Sequence, residues 1–248
     1  MALYAIGDLH LHFGSVCKAP MQRTDPAWRG HVKRVQTNCQ TILKPEDTLV
    51  LVGDHSWGKD LAQAQPDLAF IASLPGKKVL IRGNHDQFWE VGKTARLNAL
   101  YEGRLFFLQN NFFPCGDYAL VGTKGYCFEG PFYLDRRGRV KGWDESGYAQ
   151  AEKLVDRELA RLRRSLESAR AAGYNRYILF LHYPPTNLLQ RRSAFTDLAE
   201  EYGAHQVVYA HSHGQARFHD SIQGDFRSIT YSLVSGDYLG WMPKKLLP

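Results

Sequence analysis

The sequence predicts an α/β fold, and three observations carry that expectation. Short apolar runs alternate with longer amphipathic stretches, the pattern of strand–helix–strand units. Apolar residues make up 44% and aromatic residues 12%, enough to build a core and to exclude disorder as the main state. The chain has 248 residues, a length at which folding removes about 70–75% of the extended-chain surface from water. Gly and Pro are scattered without period, so collagen-like, coiled-coil and low-complexity classes fall away. No internal repeat and no Ser/Gly-rich linker interrupts the chain, and residues 1–248 are therefore expected to form one domain.

The elements follow in order. Leu3–Ile6 reads as a strand. Thr24-Asp25-Pro26 offers a cap and an N1 proline for a helix to about Leu43. Thr48–Val52 is a second strand, and a helix from about Asp60 to Leu74 is expected to be interrupted near Pro66. Lys78–Arg82 reads as a strand and Glu90–Tyr101 as a helix. Leu105–Leu108, Tyr118–Val121 and Lys124–Phe128 read as short strands. Gly147–Ala172 is a long helix with Val155, Leu159, Leu162 and Leu166 on one stripe. Tyr177–Leu181 and Gln206–Tyr209 are buried strands around a short helix, Thr196–Tyr202, which Gly203 ends. Ala216–His219 and Ser228–Val234 complete the strand-like runs.

Charge and cysteine usage narrow the class. Lys and Arg exceed Asp and Glu by 31 to 25. That mild excess suits an anionic substrate without demanding nucleic acid. Cys17, Cys39, Cys115 and Cys127 form no C-x-x-C pair, and a chain this long needs no disulfide staples, so reduced thiols are expected. The start of the chain lacks a basic stretch followed by a long apolar one, which points to a cytoplasmic protein. No apolar run approaches the ~18 residues of a membrane span.

Polar side chains collect at five strand ends. Leu3–Ile6 leads into Gly7-Asp8-Leu9-His10, and Thr48–Val52 into Gly53-Asp54. Lys78–Arg82 leads into Gly83-Asn84-His85-Asp86, Tyr177–Leu181 into His182, and Gln206–Tyr209 into Ala210-His211-Ser212-His213. A single histidine after a strand is ordinarily a satisfied core or surface group. Five such sets are a different matter, because ligands in α/β folds bind at the carboxyl ends of the strands. Carboxylates and imidazoles gathered there without cations would be poorly compensated. The donor set of carboxylate, imidazole and amide, without thiolate, suits Mn, Fe, Co or Zn. Asp8, His10, Asp54, Asn84, His182, His211 and His213 are too many ligands for one tetrahedral site and fit two ions with a shared carboxylate. Two ions about 3.5–4 Å apart clamp in-line displacement at phosphorus.

The ordered set Asp-x-His, Gly-Asp, Gly-Asn-His-Asp, His and small-His-x-His resembles the calcineurin-like metallophosphoesterases, over Asp8 to His213. The resemblance implies a four-layer sandwich of two mixed β-sheets flanked by α-helices. It implies that Asp8, His10, Asp54 and His213 hold one metal ion and Asp54, Asn84, His182 and His211 the other. It implies attack by a metal-bridging hydroxide on a phosphodiester or phosphomonoester of a small molecule, a nucleotide among the candidates. His85 would be the acid at the leaving oxygen, and Asp86 would orient it. The expected cofactors are two divalent ions, Mn, Fe or Zn. The expected partner is a small phosphorylated substrate, rather than a membrane or a nucleic acid.

Other residues are weighed beside these. Ala210 stands where many relatives carry glycine, and His55-Ser56-Trp57 where they carry an acidic or polar residue after the Gly-Asp. His12 and His55 are candidate substrate contacts, each with a plainer packing role as the alternative. Gly125–Asp144 mixes aromatics with Arg136, Arg137 and Arg139, and reads either as a substrate lid using Arg136 and Arg137 or as a hairpin with a charged tip. Arg157, Arg161, Arg163, Arg164 and Arg170, with Glu158 and Glu167, read as a solvated helix face. Arg191 and Arg192 read as a charged loop, and His31, His205 and His219 as surface groups. Three alternatives stand beside the small-ester reading, one of them a nuclease of the same fold, which would need a basic groove where the arginines here are interleaved with acids. Another is a pyrophosphatase of lipid-linked UDP-sugars, suggested by Gly7-Asp8-Leu9-His10-Leu11. The third is a protein-binding scaffold on the same fold that has lost catalysis.

Overall fold

A computed structural model describes residues 1–16, 22, 24–126, 132–134, 140–143, 145–188 and 191–248. The strands among them are β1 (Leu3–Ile6), β2 (Thr48–Val52), β3 (Lys77–Ile81), β4 (Leu105–Leu108), β5 (Phe112–Cys115), β6 (Tyr118–Thr123), β7 (Phe132–Leu134), β8 (Val140–Trp143), β9 (Tyr177–Leu181), β10 (Gln206–Tyr209), β11 (Gly224–Phe226), β12 (Ile229–Leu233) and β13 (Lys244–Leu247). The helices are α1 (His31–Ile42), α2 (Leu61–Ser73), α3 (Thr94–Leu100), α4 (Glu145–Ala171) and α5 (Ala194–Glu201). The result is an α/β fold of two mixed sheets flanked by helices. By contacts the chain forms two compact units, Met1–Gln109 with Val234–Pro248, and Asn110–Leu233.

In the first unit the sheet order is β13-β1-β2-β3-β4. β1 to β4 run parallel, and β13 pairs antiparallel with β1. β2, with sequence TLVLV, is buried along its whole length, as expected of a parallel strand covered on both faces. Because the strands are parallel, the loops after β1, β2 and β3 leave from one edge of the sheet. Trp28, Trp89 and Trp241 are fully buried in the core of this unit.

The expected helix from Asp25 to Leu43 is divided. Asp25 caps a 3₁₀ turn at Pro26–Trp28, Gly30 turns left-handed with φ +62°, and α1 begins at His31. α2 starts where Asp60 accepts a hydrogen bond from the Gln63 N–H, at 2.9 Å. It runs unbroken through Pro66, where an interruption was expected. Proline denies the preceding turn one hydrogen bond, but Ala64, Leu68 and Ile71 anchor both sides of it in the core. Glu90–Tyr101 resolves into a 3₁₀ turn at Val91–Lys93 followed by α3.

In the second unit the order is β11-β12-β10-β9-β6-β5. β6, β9, β10 and β12 are parallel, while β5 and β11 add antiparallel edges. Here too the parallel strands send their following loops to one edge. Leu162, Leu166 and Ala169 of α4 enter the core, where Phe195, Leu198 and Ala199 of α5 also lie. Ser193 and Thr196 form a reciprocal capping box at the start of α5. β7 and β8 pair antiparallel as a hairpin. Ala216–His219, expected as a strand, is turn: Arg217 N–H bonds Gly214 O at 2.9 Å, and the Arg217 side chain pairs with Asp220. Lys124–Tyr126 lies outside any strand, and 127–131 lies outside the described residues. Among the described residues no helix is long and apolar enough to cross a membrane.

Candidate metal centre

In the first unit the loops after β1 and β2 run side by side. The Asp8 N–H bonds Gly53 O at 3.0 Å, His10 N–H bonds Asp54 O at 2.8 Å, and Leu11 N–H bonds His55 O at 2.9 Å. Asp8, His10 and Asp54 all adopt left-handed backbone, with φ of +62°, +44° and +52°. That conformation costs roughly 1–2 kcal/mol for a residue with a Cβ, and such strain concentrates at functional sites. All three side chains are buried. The ligand atoms of Asp8 and His10 lie within 4.8 Å of one another, and His10 Nε2 is 3.6 Å from Asp54 Oδ2.

The loop after β3 is tied to the same point. Asp54 Oδ1 accepts the His85 N–H at 2.8 Å, and His85 Nε2 lies 4.0 Å from Asp54 Oδ2. The His85 side chain is 39% exposed, so its ring remains reachable from solvent. Asn84, beside it, is half-buried. Gly83 is required by space: a Cβ there would stand 2.1 Å from Asp54 Oδ1 and 2.2 Å from Asp54 N.

Asp86 was expected to orient His85. Its carboxylate is instead spent on backbone, accepting N–H groups of Gly83 at 2.7 Å, His55 at 2.7 Å, Asp54 at 3.0 Å and Ser56 at 3.3 Å. One buried carboxylate thus clamps the loops after β2 and β3 together. His55 is fully buried beneath it, with Nε2 2.9 Å from Ile81 O and 3.8 Å from Asp86 Oδ2, a packing position. His12 is half-buried, with Nδ1 3.4 Å from His10 O.

Trp57 escaped sequence reasoning as a site residue. Its ring stacks on His10 at 4.9 Å and 23°, and lies 4.4 Å from His85. Its indole N–H donates to Gln22 Oε1 at 2.9 Å, and Gln22 Nε2 donates to His10 O at 2.9 Å. The signal was its place three residues after Asp54, where the family pattern was expected to carry a polar group.

In the second unit His182 follows β9 and is fully buried. The N–H groups of His182 and Tyr183 both bond Lys124 O, at 3.1 and 2.9 Å, which ties the loop after β9 to the end of β6. His211 follows β10, and its ring lies 5.0 Å from that of His182 and 4.3 Å from that of Tyr183. His213, two residues on, is half-buried. His211, with φ +69°, takes left-handed backbone in this loop, and Ala210 does not. Alanine in place of glycine at 210 therefore carries no backbone penalty.

In the first unit the carboxylates of Asp8 and Asp54 and the imidazole of His10, without thiolate, are donors that fit divalent Mn, Fe, Co or Zn. Burial of Asp8 and Asp54 next to His10 fits a compensating cation, because an uncompensated buried charge costs several kcal/mol.

The model of the calcineurin-like phosphoesterase family matches residues 1–215. The chain belongs to this family. A stretch of 121 residues is 27% identical to an uncharacterized protein, MJ1445, of Methanocaldococcus jannaschii, covering 48% of this chain and 62% of that protein. The solved structure of AQ665 of Aquifex aeolicus, a protein of unknown function, shares the fold with a TM-score of 0.52 and 16% identity, over 98% of this chain and 95% of the other. TT1561 of Thermus thermophilus shares it with a TM-score of 0.51 and 10% identity, over 99% and 97%.

Within this member of the calcineurin-like phosphoesterase family several outlying groups are also placed. His31, expected at the surface, is buried: its ring nitrogens face Trp28 O at 3.1 Å and Leu9 O at 3.0 Å. Burial holds its imidazole below the ordinary value, against the upward pull of those carbonyls. His205 and His219 are exposed, as expected. Glu158, expected on a solvated face, is fully buried, 2.5 Å from both Thr123 Oγ1 and Arg161 Nη1. Arg163 pairs with Glu201 at 2.6 Å, and Arg192 with Asp197 at 2.5 Å, on exposed surface. Arg136 and Arg137, together with Cys17 and Cys127, lie outside the described residues.

Proposed function

We propose that this chain is a metal-dependent phosphoesterase acting on a small phosphodiester or phosphomonoester, with nucleotides among the candidates. One observation carries the reading. The Asp54 carboxylate stands on a strained, buried loop between His10 Nε2 at 3.6 Å and the His85 backbone N–H at 2.8 Å. This position, beside both the Asp-x-His pair and the Asn-His pair, supports reading Asp54 as the shared carboxylate. By family pattern, Asp8, His10, Asp54 and His213 would hold one divalent ion, and Asp54, Asn84, His182 and His211 a second. When bound, two such ions hold phosphate oxygens and lower the pKa of water.

The protein's own groups do the rest. His85 keeps an exposed imidazole beside Asp54 and would give a proton or hydrogen bond to the departing oxygen. Its backbone N–H on Asp54 and its ring against Trp57 limit where it can point. Asp86 keeps the loops around Gly83 and Asp54 at fixed spacing. A cytoplasmic location fits Cys39, a buried thiol that burial pushes up to about 12, where it is inert.

The leaving group tests the role of His85. His85→Ala is expected to slow hydrolysis of an alkyl phosphate ester by about 10²–10⁴-fold. With a p-nitrophenyl ester, whose leaving oxygen needs no proton, the loss should be several-fold smaller. Equal losses on both esters would remove the acid role and leave His85 as a binding group.

A further inference from the structure

We propose that His31 is a positioning residue for the Asp8-Leu9-His10 ligand pair, acting through the Leu9 carbonyl. This rests on the metal-dependent reading above and goes beyond it, since His31 lies in no family motif and reads from sequence as a surface group. Leu9 is the residue between two buried ligands that both hold left-handed backbone. Its neighbours' N–H groups are fixed by the β2 loop, Asp8 to Gly53 O and His10 to Asp54 O. The Leu9 carbonyl points the other way, and His31 Nε2 meets it at 3.0 Å. Carbonyls only accept and a neutral imidazole carries one N–H, so with Trp28 O facing Nδ1 at 3.1 Å this role requires the Nε2–H tautomer, which donates to the nearer carbonyl, that of Leu9. The left-handed turn is thus held from both sides.

His31 is itself held rigidly. It is the first residue of α1, behind the left-handed Gly30. Its ring packs against Trp28 at 5.4 Å and Trp241 at 4.7 Å. Trp241 is anchored in turn, its indole N–H on Ala27 O at 2.8 Å and its carbonyl on Asn38 Nδ2 at 2.9 Å. Trp28 also lies 5.7 Å from the His10 ring, so the same cluster touches the ligand's side chain and its neighbour's backbone. Groups that orient metal ligands from behind typically change metal affinity by about 10–100-fold when removed.

Two variants separate positioning from packing. His31→Phe keeps an aromatic ring between the tryptophans but cannot donate. His31→Gln keeps an N–H near the position of Nε2 but loses the ring. Mn²⁺ affinity and stoichiometry would be measured by calorimetry on metal-stripped full-length protein, with thermal unfolding alongside. The proposal expects Phe to weaken one of two Mn²⁺ sites by about 10–100-fold, while Gln stays within about threefold of wild type at that site whatever its unfolding temperature. Wild-type affinity in His31→Phe would overturn it. So would equal loss of affinity in both variants, or losses that simply track unfolding temperature. Failure of the wild-type protein to bind Mn²⁺ or any other divalent ion would instead overturn the metal-dependent reading, a distinct result.

Discussion

Gly83 and Asp86 show how much of the site is decided by single atoms. A methyl group at position 83 would stand 2.1 Å from Asp54 Oδ1, far inside van der Waals contact, and the atoms it meets are a fixed carboxylate and a backbone nitrogen. Gly83→Ala must therefore move Asp54. The expected outcome is a loss of about 1–3 kcal/mol of stability with at least tenfold weaker Mn²⁺ binding, read by urea unfolding and calorimetry. Asp86→Asn replaces an oxygen acceptor with an amide that donates toward N–H groups needing an acceptor. It should cost about 1–3 kcal/mol, although Asp86 holds no metal. A variant of unchanged stability would show that the clamp is not needed for the loops to form. At this scale the sequence made the candidate ligands easy to pick out, because an apolar run that stops at Gly-Asp is a local signal. It did not make the clamp legible, since three of the four backbone partners of Asp86, the N–H groups of Asp54, His55 and Ser56, lie about thirty positions away in the chain. Nor did it reveal the burial of His31, which depends on Leu9 and Trp241 from other parts of the chain.

Secondary-structure elements tell a similar story. The buried parallel strands were readable as continuous apolar runs. The edge strands β5, β11 and β13 were not, because Pro114 in β5, Gly224-Asp225 in β11 and Lys244-Lys245 in β13 carry little β signal. Pro66 misled in the opposite direction, since tertiary packing of α2 outweighs one missing hydrogen bond. Helix α5 depends on its cap: Ser193→Ala should cost about 1 kcal/mol, measured by thermal unfolding. The turn before β2 depends on Asp47, whose carboxylate accepts Ala2 N–H at 2.7 Å and Lys44 N–H at 3.0 Å. Those two donors hold its carboxyl below the ordinary 3.8. A depressed folded value means that its contribution is complete above about pH 4 and is lost as pH falls through that depressed value. Asp47→Ala should therefore destabilise the protein by about 1–3 kcal/mol at pH 7 and by progressively less below pH 4. A deficit that stays constant down to pH 2 would assign the effect to the turn's backbone instead.

For the molecule as a whole, the fold explains where the candidate ligands stand in each unit. Each unit builds a sheet whose central strands are parallel, so each sends its ligand loops from one edge. Strain at Asp8, His10, Asp54 and His211 is tolerated because rigid sheets and paired loops hold those residues in place. Ligands that bind the native state stabilise it in proportion to the logarithm of their concentration over Kd. At 100 times Kd, one Mn²⁺ site contributes about 2.7 kcal/mol, so stripping metal should lower the unfolding temperature by several degrees, and restoring it should reverse the shift. The family order of Asp, His and Asn along the chain conveyed this arrangement in advance. The substrate was not legible, because specificity resides in loops rather than in the strand-end motifs.

The most direct measurement combines metal content and turnover in one preparation. Metal-stripped protein would be titrated with Mn²⁺, Zn²⁺, Fe²⁺ and Mg²⁺ in turn, and hydrolysis of bis-p-nitrophenyl phosphate and p-nitrophenyl phosphate followed at each ratio. Asp54→Asn would serve as the control. Two ions bound per chain, turnover that rises with the second, and loss of both in Asp54→Asn are the predicted results. A chain that binds none of these ions, or hydrolyses equally well without them, would contradict the account.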